Sequence, residues 1–223
     1  MKETNKVCEK VKDFFENKKL DYRFLYNEAG LQHELALYLR AELDEAKILL
    51  ELSVYNLPLP VYNKQSPCLL RSSKFSKTKD FKFIKKEIDI FIENEGEKVV
   101  IELKFPRPTT GFPAEIYGAL KDVKFGEEVL ENRKADQFIT IFITDHIAVT
   151  NIEKRKNNTS IMYSLFSSES PSFNAESGLE NNLLPFMKAR PNTFPEIELN
   201  KEYPIEWKNY NDKLQYYIIH SKS

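Results

Sequence analysis

Two consecutive strand-like segments separated by a tight turn constrain the fold of this chain more than any other feature. Residues 85–93 and 97–105 are rich in Ile, Val and Phe and alternate between apolar and polar side chains. Between them lies Asn94-Glu95-Gly96, a sequence of residue types that favour turns. We therefore predict an antiparallel hairpin.

The position of the turn predicts which residues of the hairpin face each other. If Glu95 and Gly96 form its centre, Asp89 faces Glu102 and Glu87 faces Lys104. Side chains alternate along a strand, so these four polar side chains share one face. The opposite face is expected to be wholly apolar and to cover a core; it consists of Ile88, Ile90, Ile92, Val99, Ile101 and Leu103.

The polar face of the hairpin indicates a metal site. Facing carboxylates about 5 Å apart at Cβ repel each other unless a cation offsets their charge. Mg²⁺ prefers oxygen ligands and needs only one or two protein carboxylates. Lys104 lies about 7 Å beyond Glu102 along the strand, where an ammonium can hold the attacking water and stabilise a phosphate oxygen. The alternative is a solvated strand face of mixed charge, because 30% of the residues are charged.

The segments around the hairpin predict a mixed α/β fold. Apolar residues at helical spacing predict a helix over 7–19 and a second over 27–43, which Asn27 can cap. Residues 47–55 read as a strand. Pro113 suits the first turn of a helix that reaches about Asn132. The run FITIFIT at 138–144 is apolar on both faces, as in a buried central strand.

This combination of motif and element order resembles the PD-(D/E)XK nuclease superfamily, the restriction-endonuclease-like proteins. The matching motifs are EIDIFI with Asp89 and VVIELKF with Glu102 and Lys104. The resemblance covers roughly residues 27–150, and Ile88 stands where the family pattern has Pro. It implies a restriction-endonuclease-like core: a central mixed β-sheet, built from an antiparallel meander, a crossover helix and a further strand, flanked by helices.

The resemblance also implies the roles of individual residues. Asp89, Glu102 and the backbone carbonyl of Leu103 are expected to bind Mg²⁺, for which Mn²⁺ can substitute. Lys104 is expected at the attacking water. Glu34 matches the helix glutamate that family members turn toward the metals, so it is a further candidate for catalysis and metal binding. A surface position in an acidic helix is the alternative for Glu34.

Candidate nucleic-acid contacts lie on both sides of the hairpin. Between Arg71 and Lys86 there are seven basic residues against one acidic residue, with interleaved Phe, and this segment is a candidate to follow a phosphate backbone. A solvated loop is the alternative. Lys121 and Lys124 on the crossover helix are candidates for phosphate contact, or members of an exposed salt-bridge stripe. The proposed contacts in the basic segment are Lys74, Lys77, Lys79 and Lys82.

The remaining sequence favours one cytoplasmic nuclease domain with an appendage. Cys8 and Cys68 are too few and too far apart for a disulfide scaffold, and no stretch approaches the roughly 20 apolar residues of a membrane span. We predict a nuclease-like core at 1–153 and a loop-rich C-terminal extension at 154–223 that packs on the same domain. A further strand is expected at 147–150, and the chain end is expected to return to the sheet as a strand or a helix.

The function predicted from these features is Mg²⁺-dependent endonuclease activity on DNA, in a restriction or defence setting. A homodimer suits an enzyme that cuts both strands. One alternative is a nuclease for RNA or structured DNA, because the predicted site does not discriminate between sugars. The other is a non-catalytic module that binds nucleic acid or protein and retains the fold.

Overall fold

The computed structural model describes residues 6–18, 26–54, 84–85, 87–107, 112–146, 172–173, 192–195 and 197–223. The helices in these ranges are α1 (Lys6–Asn17), α2 (Glu28–Glu42) and α3 (Phe112–Glu131). The strands are β1 (Lys47–Ser53), β2 (Glu87–Asn94), β3 (Glu97–Lys104), β4 (Gln137–Thr144), β5 (Ser172–Phe173), β6 (Tyr203–Pro204), β7 (Lys208–Asn209) and β8 (Gln215–Lys222).

A six-stranded mixed sheet in the order β1-β2-β3-β4-β8-β7 organises the protein. Strands β1, β2 and β3 form an antiparallel meander. The chain then crosses over through α3, and β4 lies parallel to β3. β8 pairs antiparallel with β4, while β5 and β6 form a separate two-stranded sheet. The expectation of a mixed α/β fold with a meander, a crossover helix and a further strand is confirmed at this level.

The predicted register of the hairpin is confirmed over the turn-proximal part of β2 and β3. Asn94 pairs with Glu97 next to the turn, and the ladder continues to Ile90 opposite Ile101. Glu95 and Gly96 adopt positive φ values of 54° and 84°. These angles are typical of the two-residue turns that join twisted antiparallel strands, and Gly96 adopts them without a steric cost.

The two faces of the sheet bury two separate apolar clusters. Helices α1 and α2 cover one face, and α3 together with the segment 194–205 covers the other. β4 lies between both layers and is buried along its whole length, as its uninterrupted apolar sequence predicts. On the α1–α2 side the hairpin contributes Ile90, Ile92, Val99, Ile101 and Leu103. On the α3 side it contributes Ile88, Phe91 and Val100.

Ile88 departs from the predicted alternation, and its assignment to the wholly apolar face is wrong. It packs with Phe91 and Val100 on the α3 side. The cause is local: the β1–β2 pairing skips from Leu50 to Leu52, and the intervening Glu51 has a φ of 51°. Regular strand geometry is therefore interrupted at the level of Asp89, which lies opposite Glu51.

The C-terminal region contributes to the main sheet. β8 pairs with β4 from Gln215 to Lys222, and Tyr216 and Tyr217 on it are buried. Of the two forms expected for the chain end, the strand is therefore the one observed. The strand expected at 147–150 lies outside the described residues, as does most of the segment between β4 and β6. None of the helices within the described ranges is both long and apolar enough to cross a lipid bilayer.

Candidate metal centre

Three carboxylates from three different elements surround the ammonium group of Lys85. Its Nζ atom donates a short hydrogen bond to Glu102 on β3 and lies 3.1 Å from Asp122 Oδ1 on α3. Asp89 Oδ1 on β2 is 3.9 Å from the same nitrogen. We call Asp89, Glu102, Asp122 and Lys85 the carboxylate cluster. It brings together the two predicted hairpin carboxylates and adds an acidic residue and a cation that were not predicted.

The irregular end of β2 positions Asp89 for this role. Beyond Ile90 the β2–β3 ladder gives way to a side-chain contact, in which Asp89 Oδ2 accepts a hydrogen bond of 2.7 Å from the Leu103 N–H. The Asp89 carbonyl accepts a 2.6 Å hydrogen bond from Gln32 Nε2 on α2, and the same amide donates to Glu51 at 2.7 Å. The Leu103 N–H therefore holds the Asp89 carboxylate between β2 and β3, and Gln32 holds the Asp89 backbone.

Burial raises the free-energy cost of keeping the carboxylates of the cluster ionised. Glu102 is 1% and Asp122 is 4% exposed. Burial and the neighbouring Asp89 raise the pKa of Glu102 well above its ordinary value, against the attraction of Lys85. Burial also raises the pKa of Asp122, to about 6. One ammonium does not fully offset two buried carboxylates and the partly buried Asp89, so the cluster favours a further positive charge.

Two unsatisfied oxygens test whether this cluster suits a divalent cation. Glu102 Oε1 and Asp122 Oδ2 are buried and accept no hydrogen bond from the part of the chain that the structure describes. Buried carboxylate oxygens normally have partners, and hard oxygens of this kind are the ligands that Mg²⁺ and Mn²⁺ prefer. The described residues contain no group of three His, Cys, Asp or Glu side chains already arranged as metal ligands. In this cluster the Lys85 ammonium lies among the carboxylates. The donor set fits such an ion.

Lys104 approaches the cluster from the end of β3 and is held by α2. Its Nζ atom lies 3.4 Å from Glu28 Oε2, and this oxygen also accepts a 2.9 Å hydrogen bond from the Phe105 N–H. Burial lowers the pKa of Lys104, but Asp122 and Glu28 raise it more, so the net shift is upward and the side chain is cationic. The stem of Lys104 crosses α3 at Gly118, where an added Cβ would lie 3.2 Å from Lys104 Cε.

Glu28, and not Glu34, is the α2 carboxylate that reaches the predicted site. Glu28 contacts Lys104, and Gln32, one turn later on the same side of α2, contacts Asp89. Glu34 lies two residues beyond Gln32, which is about 200° of helical rotation. It is half-buried on another side of the helix from Gln32. A metal-binding role for Glu34 stays a prediction.

The lysines of the basic segment and of α3 have four different outcomes. Lys85, the described member of the basic segment, points into the carboxylate cluster. Lys124 lies 3.3 Å from Glu127 and 3.4 Å from Asn200, which matches the salt-bridge alternative. Lys121 is half-buried on the same helix. Lys74, Lys77, Lys79 and Lys82 lie outside the described residues.

Sequence reasoning missed Asp122, although a signal for its burial was present. Val129, seven residues later, lies at nearly the same helical angle, and Phe125 is one turn away. All three are buried. A second apolar side of α3 therefore surrounds Asp122.

Comparisons with family models, with curated proteins and with solved structures yield no match for this chain.

Proposed function

We propose that this protein is a metal-dependent nuclease that hydrolyses phosphodiester bonds of DNA, with a site of the PD-(D/E)XK type. One observation carries the proposal: Asp89 and Glu102, from adjacent antiparallel strands, meet around a cation in a buried cluster with an unsatisfied carboxylate oxygen. A solvated strand face of mixed charge would not bury Glu102 to 1% exposure.

The order of elements supports the same proposal. A helix, a three-stranded antiparallel meander, a crossover helix and a strand parallel to the third strand follow one another. This is the sequence of elements that the resemblance to restriction-endonuclease-like proteins implies. α3 packs directly over β3 and β4, so it contributes a carboxylate to the site.

Asp89 and Glu102, together with the backbone carbonyl of Leu103, are the residues proposed to hold Mg²⁺ or Mn²⁺. Such an ion, when bound, polarises the scissile phosphate and lowers the pKa of water. Lys104 contributes a fixed positive charge, which orients the attacking water and stabilises the negative charge that develops on the phosphate oxygens. Glu28 positions Lys104 through its ion pair and fixes the end of β3 through the Phe105 N–H.

DNA is the proposed substrate, and the basic segment is its proposed contact. Lys74, Lys77, Lys79 and Lys82 precede Lys85 in the chain, and Lys85 lies in the cluster. The basic segment therefore ends beside the proposed site, and its charges suit a phosphate backbone. A restriction or defence role and a homodimer are compatible with this function.

The proposal is tested by cleavage assays on purified protein. Plasmid DNA, single-stranded DNA and RNA are incubated with Mg²⁺, with Mn²⁺ and with EDTA. We expect DNA cleavage with either ion and none with EDTA, and loss of cleavage in Asp89→Ala and Lys104→Ala. Glu93→Ala and Lys98→Ala are matched controls, because these residues pair with each other at the other end of the same hairpin. Cleavage of RNA alone would change the substrate.

A non-catalytic binding module is the second candidate, because Lys85 already supplies a cation to the three carboxylates. A cluster neutralised by the chain itself can serve to hold β2, β3 and α3 together. The same assays separate the two candidates. A wild-type protein that binds nucleic acid but cuts none of the three substrates with either ion would support the module and contradict the nuclease.

A further inference from the structure

We infer that Asp122 is a third carboxylate ligand of the divalent ion, and that the ion takes the position that the Lys85 ammonium holds in its absence. This inference rests on the proposed function, but it concerns a residue of α3 and a competition within the site. Lys85 is thus a built-in competitor of the metal. Neither residue belongs to the hairpin motif on which the nuclease proposal stands.

The geometry identifies the position that the ion would occupy. Lys85 Nζ is within 3.1 Å of Asp122 Oδ1 and 3.9 Å of Asp89 Oδ1, and it donates a short hydrogen bond to Glu102 Oε2. A single cationic group therefore contacts oxygens from β2, β3 and α3. An ion at the same point would contact the same three side chains after small adjustments of their rotamers.

The unsatisfied oxygens indicate that Lys85 is not the best partner for this cluster. An ammonium offers three donors, yet Glu102 Oε1 and Asp122 Oδ2 accept none of them and are without a hydrogen bond from any described residue. Thr140, next to Glu102 across the β3–β4 ladder, also has a buried hydroxyl without a partner there. A hydrated divalent ion can satisfy several such oxygens at once, because it keeps some of its waters.

The charge balance of the cluster also favours a divalent ion over the Lys85 ammonium. When all three carboxylates are ionised, they exceed the charge of the single ammonium by two. If a divalent ion replaces the ammonium, one negative charge remains, and Lys104 is near enough to Asp122 to interact with it electrostatically. Asp122 therefore matters in both states, whereas Lys85 is required only in the absence of the ion.

Lys85 has a route out of the cluster. Its side chain is 22% exposed, in contrast to 1% for that of Glu102. Lysine has a flexible four-carbon stem and a strongly hydrated ammonium, so the group can leave for solvent when the ion enters. Removal of such a competitor increases the fraction of molecules that are ready to bind, and thereby the apparent affinity.

Calorimetric titration with Mn²⁺ tests the inference on four variants and the wild type. Asp122→Asn removes the charge of the third ligand, and we expect it to weaken Mn²⁺ binding by about tenfold or more. Lys85→Gln removes the competitor, and we expect it to strengthen binding by about tenfold. Glu131→Gln on α3 and Lys6→Gln on α1 are the matched controls, because their carboxylate and ammonium make surface contacts away from the cluster. We expect wild-type affinity in both.

Thermal unfolding gives a second measurement. Mn²⁺ should raise the melting temperature of Lys85→Gln more than that of the wild type, because the ion supplies the missing positive charge. If Lys85→Gln is unfolded in EDTA, circular dichroism during Mn²⁺ addition should show that it refolds. Failure to refold would overturn the inference, as would wild-type Mn²⁺ affinity in Asp122→Asn or in a folded Lys85→Gln.

The outcomes separate the inference from the nuclease proposal. A wild-type enzyme that cuts DNA while Asp122→Asn binds Mn²⁺ normally would refute the inference and leave the nuclease intact. The expected affinity changes without cleavage of any nucleic acid would establish the metal site and refute the nuclease.

Discussion

Helix α3 buries two carboxylates, Asp122 and Glu127, that are equally inaccessible but differ in their partners. Each is 4% exposed. Glu127 accepts hydrogen bonds from the Tyr203 hydroxyl at 2.9 Å and the Asn200 N–H at 2.8 Å, and from Lys124 at 3.3 Å. Asp122 receives one from Lys85, at 3.1 Å, and its second oxygen has no partner among the described residues.

This difference separates a structural carboxylate from a candidate functional one. The contacts of Glu127 attach the segment around Asn200 and Tyr203 to α3, and they satisfy both of its oxygens. Asp122 keeps an unsatisfied oxygen inside a cluster of like charges, which is costly in a folded protein. Groups that violate the rules of burial tend to occur at functional sites. Substitutions around Glu127 should therefore affect stability, and those around Asp122 should affect activity.

The largest expected effect is a loss of activity on substitution of Glu102 in the carboxylate cluster. Glu102→Gln preserves the shape of the side chain but removes a charged metal ligand, so we expect DNA cleavage to fall by about 100-fold or more. Glu127→Gln should cleave at the wild-type rate. Single-turnover assays at saturating Mn²⁺ measure the cleavage rates of both variants. Equal losses in the two would remove the distinction between the carboxylate cluster and Glu127.

The next largest effect is on stability, at Glu127. Glu127→Ala leaves the buried Tyr203 hydroxyl and the Asn200 N–H without their acceptor, so we expect the free energy of unfolding to fall by about 2–4 kcal/mol. Glu131→Ala, at an exposed position one turn later on α3, should change it by less than about 0.5 kcal/mol. Urea unfolding measures both values. A loss below about 1 kcal/mol in Glu127→Ala would show that this attachment contributes little.

A smaller loss of stability is expected on removal of the Tyr203 hydroxyl, which donates to Glu127. Tyr203→Phe removes one donor to Glu127 and keeps the buried ring, so we expect a loss of about 1 kcal/mol in the free energy of unfolding. The effects of Tyr203→Phe and Glu127→Ala should not be additive, because both remove the same hydrogen bond. Urea unfolding of the double variant measures the coupling, and full additivity would contradict it.

The smallest effect is expected for the stability of Asp122→Asn in EDTA. The amide oxygen can still accept from Lys85, and the loss of one negative charge relieves repulsion with Asp89 and Glu102. We therefore expect the free energy of unfolding to change by less than about 1 kcal/mol in either direction. Urea unfolding in EDTA measures this change. A loss above about 2 kcal/mol would class Asp122 with Glu127 as a structural carboxylate.

The hairpin was predictable from the sequence because residues close together in the chain determine its turn and its register. The turn at Glu95-Gly96 fixes the register, and strand alternation then groups Asp89 with Glu102. The alternation failed at Ile88, because it cannot reveal the backbone interruption at Glu51. That interruption depends on β1, which pairs with β2 from more than thirty positions away in the chain.

The other parts of the cluster depend on packing between distant elements. In the sequence Lys85 is one member of a basic segment, and only the tertiary fold brings it into contact with Asp122 and Glu102. The helix carboxylate at Lys104 is Glu28 and not Glu34, because the orientation of α2 on the sheet decides which side of that helix meets β3. Sequence periodicity gives the apolar side of a helix but not the crossing angle at which it packs.

The two-residue turn of the hairpin has a consequence for the accuracy of folding. A slip of β2 against β3 by one position would move the Asp89 side chain to the opposite face, beneath α1 and α2, and would separate it from Glu102. That layer is filled by Ile90, Ile101 and their apolar neighbours, among which a buried carboxylate would be costly. Mispaired chains would therefore forfeit the core that holds the two helices. The apolar layer under α1 and α2 therefore selects for the correct register. Molecules that fold stably are those in which the residues of the carboxylate cluster are correctly assembled.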